Sequence, residues 1–150
     1  MHRFWFYRFG FMILVLTNLF AVPVRAQQGG EPGGVWLTQA GDAKVKVSRC
    51  GGSLCGVVVW LREPIDAPTG KPAVDDKNPN PALAKRPMIG LPLFISMRPA
   101  GPSRWSGQIY NADDGKIYES HVAMTGLDSL RVEGCVGVLC GGETWTRAGR

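Results

Sequence analysis

The chain has 150 residues, of which 17 are Lys or Arg and 12 are Asp or Glu. Residues 1–26 carry three of the basic residues and none of the acidic ones, which leaves 14 basic and 12 acidic residues in the rest. This near balance, without a dense Lys/Arg block, excludes the strongly basic surface that nucleic-acid binding requires. The remaining 124 residues are enough for one domain.

The N-terminal segment has the three parts of a secretory signal. Two arginines precede an uncharged, almost wholly apolar run of 14 residues at 9–22, and small residues follow around Ala26. A membrane-spanning helix needs about 20 apolar residues, so this run is short for a permanent anchor. We predict a cleaved signal peptide, residues 1–26, and a periplasmic or secreted mature protein with no stable membrane span. The alternative is an uncleaved anchor.

Patterns typical of β-strands follow. Residues 27–33, rich in Gln, Gly and Pro, are predicted to be flexible. Apolar alternation and β-branched runs predict eight strands, at residues 35–38, 44–49, 56–61, 92–97, 104–111, 116–124, 129–136 and 139–147. Their short connections indicate antiparallel neighbours. We therefore predict an all-β domain over residues 34–150, an antiparallel up-and-down eight-stranded barrel, with a β-sandwich as the alternative.

One long proline-rich loop, residues 62–91, separates the third predicted strand from the fourth. Its six prolines exclude a central strand. Asn80 and Pro81 are typical of a helix cap and first helical residue, so residues 81–86 are predicted to form one or two helical turns that Pro87 ends. A connection of this length is usually functional or disordered.

The four cysteines form two pairs of equal spacing, Cys50 with Cys55 and Cys135 with Cys140. Each pair brackets four residues between β-like runs, so its members can face each other across a hairpin. We predict two local disulfides, which export permits. The alternative is a four-thiolate zinc site, but we predict no metal site.

Seven sequence blocks carry a family resemblance. They are GVW at 34–36, CGGSLCGVVVWL at 50–61, DKNP at 76–79, RPMIGL at 86–91, WSGQIY at 105–110, DGKIY at 114–118 and WTR at 145–147. In this order, and over nearly all of residues 34–147, they resemble a bacterial exported family catalogued as domain of unknown function 2147. The resemblance implies a lipocalin-like β-barrel in the bacterial envelope, and it implies no activity.

A second resemblance concerns the two ends of the barrel domain. Lipocalin-type barrels begin with Gly-x-Trp and carry, near the end of the last strand, an Arg that packs over that Trp. Trp36 and Arg147 occupy these places, which implies a barrel-closing pair in which a guanidinium lies on an indole ring. The long loop, the chain length and the local disulfides differ from a typical lipocalin and leave the size of any cavity open.

Candidate ligand-binding residues fall into two groups. Loops on a rigid barrel often carry binding groups, and the loop candidates are Asp76, Lys77, Asn78 and Arg86. The alternative is that Asp76 and Asn78 only cap turns and fix the path of the proline-rich loop. The aromatic candidates are Trp60, Trp105, Tyr110 and Tyr118, which would face a ligand in a hollow barrel and form ordinary core in a filled one.

No catalytic residues are predicted. His121, the one histidine after the signal, is expected at the surface, on the opposite strand face from Val122 and Met124. No nucleophile elbow is present. The carboxylates of Asp75 and Asp76 are suited to binding a cation or to acid/base chemistry, and equally to a solvated ion pair with Lys77. Enzymatic activity is left open, a non-enzymatic role is favoured, and no cofactor is expected.

Three functions remain after these exclusions. The leading hypothesis is a periplasmic binding module that holds a small, largely apolar ligand at the open end of the barrel, with the proline-rich loop as lid or rim. The second is an envelope interaction module that docks a protein partner and binds no ligand. The third is a hydrolase that uses the loop carboxylates.

Overall fold

The computed structural model describes residues 30–149. The predicted signal peptide, residues 1–26, therefore lies outside the described residues, as do residues 27–29 of the predicted flexible segment. The strands are β1 (Gly34–Leu37), β2 (Ala43–Cys50), β3 (Ser53–Leu61), β4 (Ile65–Asp66), β5 (Lys71–Pro72), β6 (Phe94–Gly101), β7 (Arg104–Asn111), β8 (Lys116–Gly126), β9 (Ser129–Val136) and β10 (Leu139–Gly149).

Eight of these strands close into a barrel in the order β1-β10-β9-β8-β7-β6-β3-β2, and every neighbouring pair is antiparallel. The predicted eight-stranded barrel is confirmed, and the sandwich alternative is excluded because the sheet has no free edge. Strands β4 and β5 form a separate two-stranded ribbon within the proline-rich loop. No helix within residues 30–149 is long and apolar enough to cross a membrane.

The proline-rich loop contains a single helical turn. The Asn80 carbonyl accepts hydrogen bonds from the amides of Leu83 and Ala84 at 3.0 and 2.9 Å. The Asn80 side chain caps this turn, because its Oδ1 accepts a hydrogen bond from the amide of Ala82 at 3.0 Å. One more turn hydrogen bond follows, from the Arg86 amide to the Leu83 carbonyl at 3.0 Å. A bridge between Val74 and Pro87 joins the two arms of the loop, and the chain rejoins the barrel at Pro92, which bridges to Val57 of β3.

One half of the barrel interior is packed with large side chains. This cluster comprises Trp36, Val45, Val47, Leu54, Phe94, Met97, Trp105, Val122, Leu130, Val132 and Trp145. Within it the rings of Phe94 and Trp145 stack at a centroid distance of 5.9 Å. We call this half, toward the β2–β3, β6–β7 and β8–β9 hairpins, the closed end.

Residues 30–33 cross the closed end. The buried Pro32 offers its carbonyl to Nε1 of Trp36 at 2.8 Å. The Arg147 guanidinium lies over the Trp36 ring at 4.2 Å from its centroid. It also donates to the carbonyls of Gly33 and Leu127 at 2.7 and 3.0–3.1 Å. Arg147 thus ties the last strand to the segment before the first one, and the ring beneath it plugs the barrel.

Both predicted disulfides are present, Cys50–Cys55 and Cys135–Cys140. Cys135 and Cys140 are directly opposite each other in the β9–β10 register, with their Cα atoms 4.0 Å apart. Cys50 and Cys55 are offset across the β2–β3 hairpin, with a Cα separation of 5.8 Å. All four sulfurs are bonded, which excludes the four-thiolate zinc site. Two disulfides are typical of an oxidising, extracytoplasmic compartment.

Candidate functional site

The half of the barrel away from the plug is hollow. An open cavity of about 1590 Å³ extends from the packed cluster to the mouth formed by the β1–β2, β7–β8 and β9–β10 connections and by residues 62–74. We call this the open end. The cavity exceeds the roughly 300–1,000 Å³ of most small-molecule sites. Its apolar wall includes Val58, Leu61, Leu93, Ile109, Val132 and Trp145.

The interior is hollow here because small residues replace large ones at inward positions. Along β10 the inward positions run from Leu139 at the rim through Gly141 and Glu143 to Trp145 at the cavity floor. Gly141 pairs with Gly134 of β9, so this level of the wall carries no side chain from either strand. A Cβ atom added at Gly141 would meet nothing within 4 Å. A larger residue at Gly141 would fill this space, whereas a Cβ atom at Gly134 would lie against Tyr118 at 3.4 Å.

Glu143 brings a carboxylate into this apolar space. It pairs with the buried Val132 and shares a face with Trp145, two residues further along the strand. The Trp145 indole N–H donates a hydrogen bond to Oε1 of Glu143, which fixes the side chain against the floor. Sequence reasoning missed this residue. The available signal was a charged residue two positions from a buried tryptophan in a strand, which places both on the same face.

Tyr118 contributes a second polar group to the cavity wall. Its hydroxyl donates a hydrogen bond to Oδ2 of Asp114 at 2.5 Å, across the β7–β8 turn. This hydrogen bond lowers the pKa of the Asp114 carboxyl and raises the pKa of the Tyr118 phenol, since it stabilises the carboxylate and the neutral phenol together. The pair adds hydrogen-bonding capacity at the mouth.

A buried ionic network fastens the proline-rich loop to the barrel, and Asp75 lies at its centre with 1 % of its surface exposed. Oδ1 of Asp75 accepts a hydrogen bond from the Tyr110 hydroxyl at 2.6 Å. Its Oδ2 accepts bonds from Asn78 Nδ2 at 2.9 Å and from the Arg86 guanidinium at 2.8–2.9 Å. We call Asp75, Asn78, Arg86 and Tyr110 the loop latch. Burial, followed by the hydrogen bond to Asp75, raises the pKa of Tyr110.

The predicted loop residues therefore divide between two environments. Asn78 and Arg86 belong to the latch and line a smaller pocket of about 260 Å³ together with Tyr110. Asp76 and Lys77 lie at the mouth of the main cavity and form an exposed ion pair at 3.3 Å. An exposed pair of this kind contributes little to stability.

The four aromatic candidates lie in three different places: the cavity wall, the packed cluster and the outer surface of the barrel. Tyr118 and Tyr110 line the main cavity, whereas Trp105 is 6 % exposed within the packed cluster of the closed end. Trp60 is 38 % exposed and does not belong to the cavity lining. A bulge places Lys44 opposite Trp60 and leaves Val59 as an extra residue, so Trp60 is turned outward beneath the Lys44 ammonium.

His121 lies exposed on the outer face of β8, as the alternation of that strand indicates. Its Nδ1 is 3.0 Å from the Ser106 hydroxyl. The sulfurs of Cys135 and Cys140 are within 4.8 Å of its ring nitrogens, but both are bonded in a disulfide and offer no thiolate to a metal.

A family described as uncharacterized proteins conserved in bacteria, domain of unknown function 2147, matches residues 34–147. The chain belongs to this family. Among solved structures, protein HP1028 from Helicobacter pylori, described as belonging to the lipocalin family, superimposes with a TM-score of 0.67. The two are 23 % identical, and the match covers 79 % of this chain and 83 % of HP1028. This likeness shows that the fold is lipocalin-like. No curated protein matches the chain.

Proposed function

We propose that this chain is an exported binding module that holds a small, largely apolar ligand in the open cavity of its barrel. The observation that carries the proposal is the division of the interior into a plugged half and a hollow half, which opens into a cavity of about 1590 Å³ including the mouth between the connections. A barrel that served only as a scaffold would gain stability by filling this space, because empty apolar volume forfeits packing.

The surroundings of the cavity favour this role. Between the strands the wall is mainly apolar, with a few polar groups such as Tyr118 and Glu143 on rigid strands, which is the usual composition of a small-molecule site. Most charged residues of the lining lie on the connections at the mouth. Residues 62–74 contribute to the mouth, and the loop latch holds the following segment against the barrel. The loop is therefore suited to act as a rim of fixed position rather than as an unattached flap.

The place of action is part of the proposal. Cleavage of a signal peptide near Ala26 would deliver the chain to the periplasm or the medium, where ligand and chain would meet. The two disulfides support this place, because cytosolic reductants keep most thiols reduced.

Titration with an uncharged fluorescent probe such as N-phenylnaphthylamine tests the binding function. We expect saturable binding by the disulfide-bonded mature chain. Gly141→Trp projects a large ring into the cavity from a position with free space and should weaken binding at least tenfold, about 1.4 kcal/mol. Gly52→Trp is the matched control, because it adds the same ring in free space at the β2–β3 hairpin of the closed end. Equal affinity of both variants would contradict the proposal.

An interaction module is the second candidate, and one feature favours it. The tip of the β9–β10 hairpin exposes three large apolar side chains, Val136, Val138 and Leu139, at 70, 96 and 77 %. Contiguous exposed apolar residues often mark contact surfaces. Periplasmic cross-linking with the chain and with Val138→Asp tests this candidate. A stoichiometric partner captured only by the unmodified chain would support it, and the absence of any such partner would count against it.

The hydrolase hypothesis gains no support from the loop carboxylates. Asp75 accepts hydrogen bonds on both oxygens and is buried, so neither oxygen is free to take a proton from a substrate. Asp76 is exposed and pairs with Lys77.

A further inference from the structure

Glu143 stands out among the acidic residues of the cavity lining because it combines two features: it lies on a barrel strand beside the cavity floor, and it has no cationic partner in the part of the chain that the structure describes. The ion pairs within residues 30–149 are Arg49–Glu31, Lys77–Asp76, Arg86–Asp75, Arg131–Glu133 and Arg147–Asp128. Oε1 of Glu143 accepts the Trp145 indole hydrogen bond, and Oε2 accepts none from the described residues. A carboxylate oxygen therefore remains available on the cavity side.

The position of Glu143 suits the head group of an elongated ligand. It lies four residues from Leu139 at the rim, roughly 13 Å along the strand at about 3.3 Å per residue. The wall between the two levels is widened by the Gly134–Gly141 pair. A ligand that enters through the mouth would place its leading end at Glu143 and its body against the apolar wall.

Most of the charged residues that line the cavity are acidic, like Glu143. Acidic residues in the lining outnumber basic ones by seven to three. Two of the acidic residues, Asp76 and Glu133, are neutralised by ion pairs with Lys77 and Arg131. The other two basic residues, Arg62 and Lys71, offset only two of the five acidic residues that have no ion pair within the described chain. The cavity therefore has an excess of negative charge, although residues 27–150 as a whole contain 14 basic and 12 acidic residues.

We propose that Glu143 makes the cavity selective for amphiphiles with a cationic head, such as a protonated amine on an apolar chain. This inference rests on the proposed binding function and specifies its ligand class. A protonated amine would donate to the free oxygen of Glu143 in a charge-assisted hydrogen bond, which is stronger inside an apolar wall than in water. An anionic head would bring a like charge against Glu143 and the acidic lining, and both charges would lose hydration without compensation.

The test uses three ligands with the same chain and different heads: decylammonium, decanol and decanoate. Each is titrated at neutral pH and low ionic strength, where screening is weak, as a competitor of N-phenylnaphthylamine bound to the disulfide-bonded mature chain. We expect decylammonium to bind at least about tenfold more tightly than decanoate, with decanol between them.

Two variants test whether Glu143 causes the preference for the ammonium head. Glu143→Gln keeps the size of the side chain and an oxygen for the Trp145 N–H, and it should reduce the ammonium-to-carboxylate preference to within about threefold. Glu119→Gln removes the same charge from the outer face of β8, where the side chain bonds Gln108, and should leave the preference intact. Tryptophan fluorescence verifies folding of both variants.

The outcomes separate this inference from the proposed function. One outcome is that decanol displaces the probe while decanoate binds as tightly as decylammonium or more tightly. Selectivity for cationic heads is then wrong, and the proposed binding function remains supported. An unchanged preference in Glu143→Gln would likewise overturn the role of this residue. If the probe itself shows no saturable binding, both the binding function and its ligand class are wrong. The preference of the unmodified chain decides the question even if a variant does not fold.

Discussion

Replacing Asp75 by Ala should release the proline-rich loop from the barrel wall. The substitution removes the acceptor of the Tyr110 hydroxyl, of Asn78 Nδ2 and of the Arg86 guanidinium at once. The neighbouring Asp76→Ala removes an exposed carboxylate that pairs with Lys77 alone, and it serves as the matched control.

The expected loss follows from the burial of each partner. Removing one member of a buried ion pair costs about 3–5 kcal/mol. The Arg86 side chain is 28 % exposed and regains part of its hydration, which favours the lower end of this range. The Tyr110 hydroxyl is buried and regains less hydration than Arg86 does. We expect a loss of about 3 kcal/mol for Asp75→Ala and at most about 0.5 kcal/mol for Asp76→Ala.

Urea unfolding monitored by tryptophan fluorescence measures the global loss. Because loops can open locally without global unfolding, hydrogen exchange is measured as well, at the amides of residues 75 and 88. These amides donate to the carbonyls of Arg86 and Ala73, both at 3.0 Å, and should lose protection in Asp75→Ala. Equal stability of the two variants together with unchanged protection of these amides would refute the latch.

Three further predictions concern Arg147 over the plug, the close approach of β6 and β7 at Gly107, and the Tyr110 phenol of the latch. Arg147→Lys should lower the free energy of unfolding, measured in urea, by about 2 kcal/mol or more. The reason is that an ammonium cannot make the hydrogen bonds of the guanidinium while it lies on the Trp36 ring. A loss below about 0.5 kcal/mol would contradict this. Gly107→Ala should lower the free energy of unfolding by about 1–3 kcal/mol, since the added Cβ atom would lie 2.6 Å from the Ser96 carbonyl oxygen. The control is Gly141→Ala, whose Cβ atom would meet nothing within 4 Å and which should leave the stability nearly unchanged. The raised pKa of Tyr110 contributes stability that is fully present below the ordinary tyrosine pKa near 10 and is lost as pH rises through the folded-state pKa. Alkaline absorbance titration should therefore show one phenol that ionises later than the others, and Tyr110→Phe should remove it.

Strand positions were predictable because they depend on local alternation. Strands β7 and β9 begin and end at the predicted residues, and the cap at Asn80 followed from its own side chain and the proline after it. The disulfides followed from equal cysteine spacing across two hairpins. Each of these features is determined by residues close together in the sequence.

The site was less predictable because its contacts are distant in sequence or break the alternation. Asp75 and Asp76 are adjacent carboxylates, and the contacts of Asp75 with Arg86 and with Tyr110, 11 and 35 residues away, decide which of them is buried. An aromatic residue in a strand of a small barrel is expected inside, as ligand-facing or core residue, but the bulge opposite Lys44 turns Trp60 outward. Glu143 was missed because charged residues in strands usually face water, whereas this one faces the cavity.

Native mass spectrometry of the mature chain purified from periplasm tests the central claim most directly. We expect the unmodified chain to carry the additional mass of a bound small molecule that is released on denaturation, and Gly141→Trp, purified in the same way, to carry less of it. The bare polypeptide mass for both proteins, under conditions in which a known lipocalin–ligand complex survives transfer to the gas phase, would contradict the account.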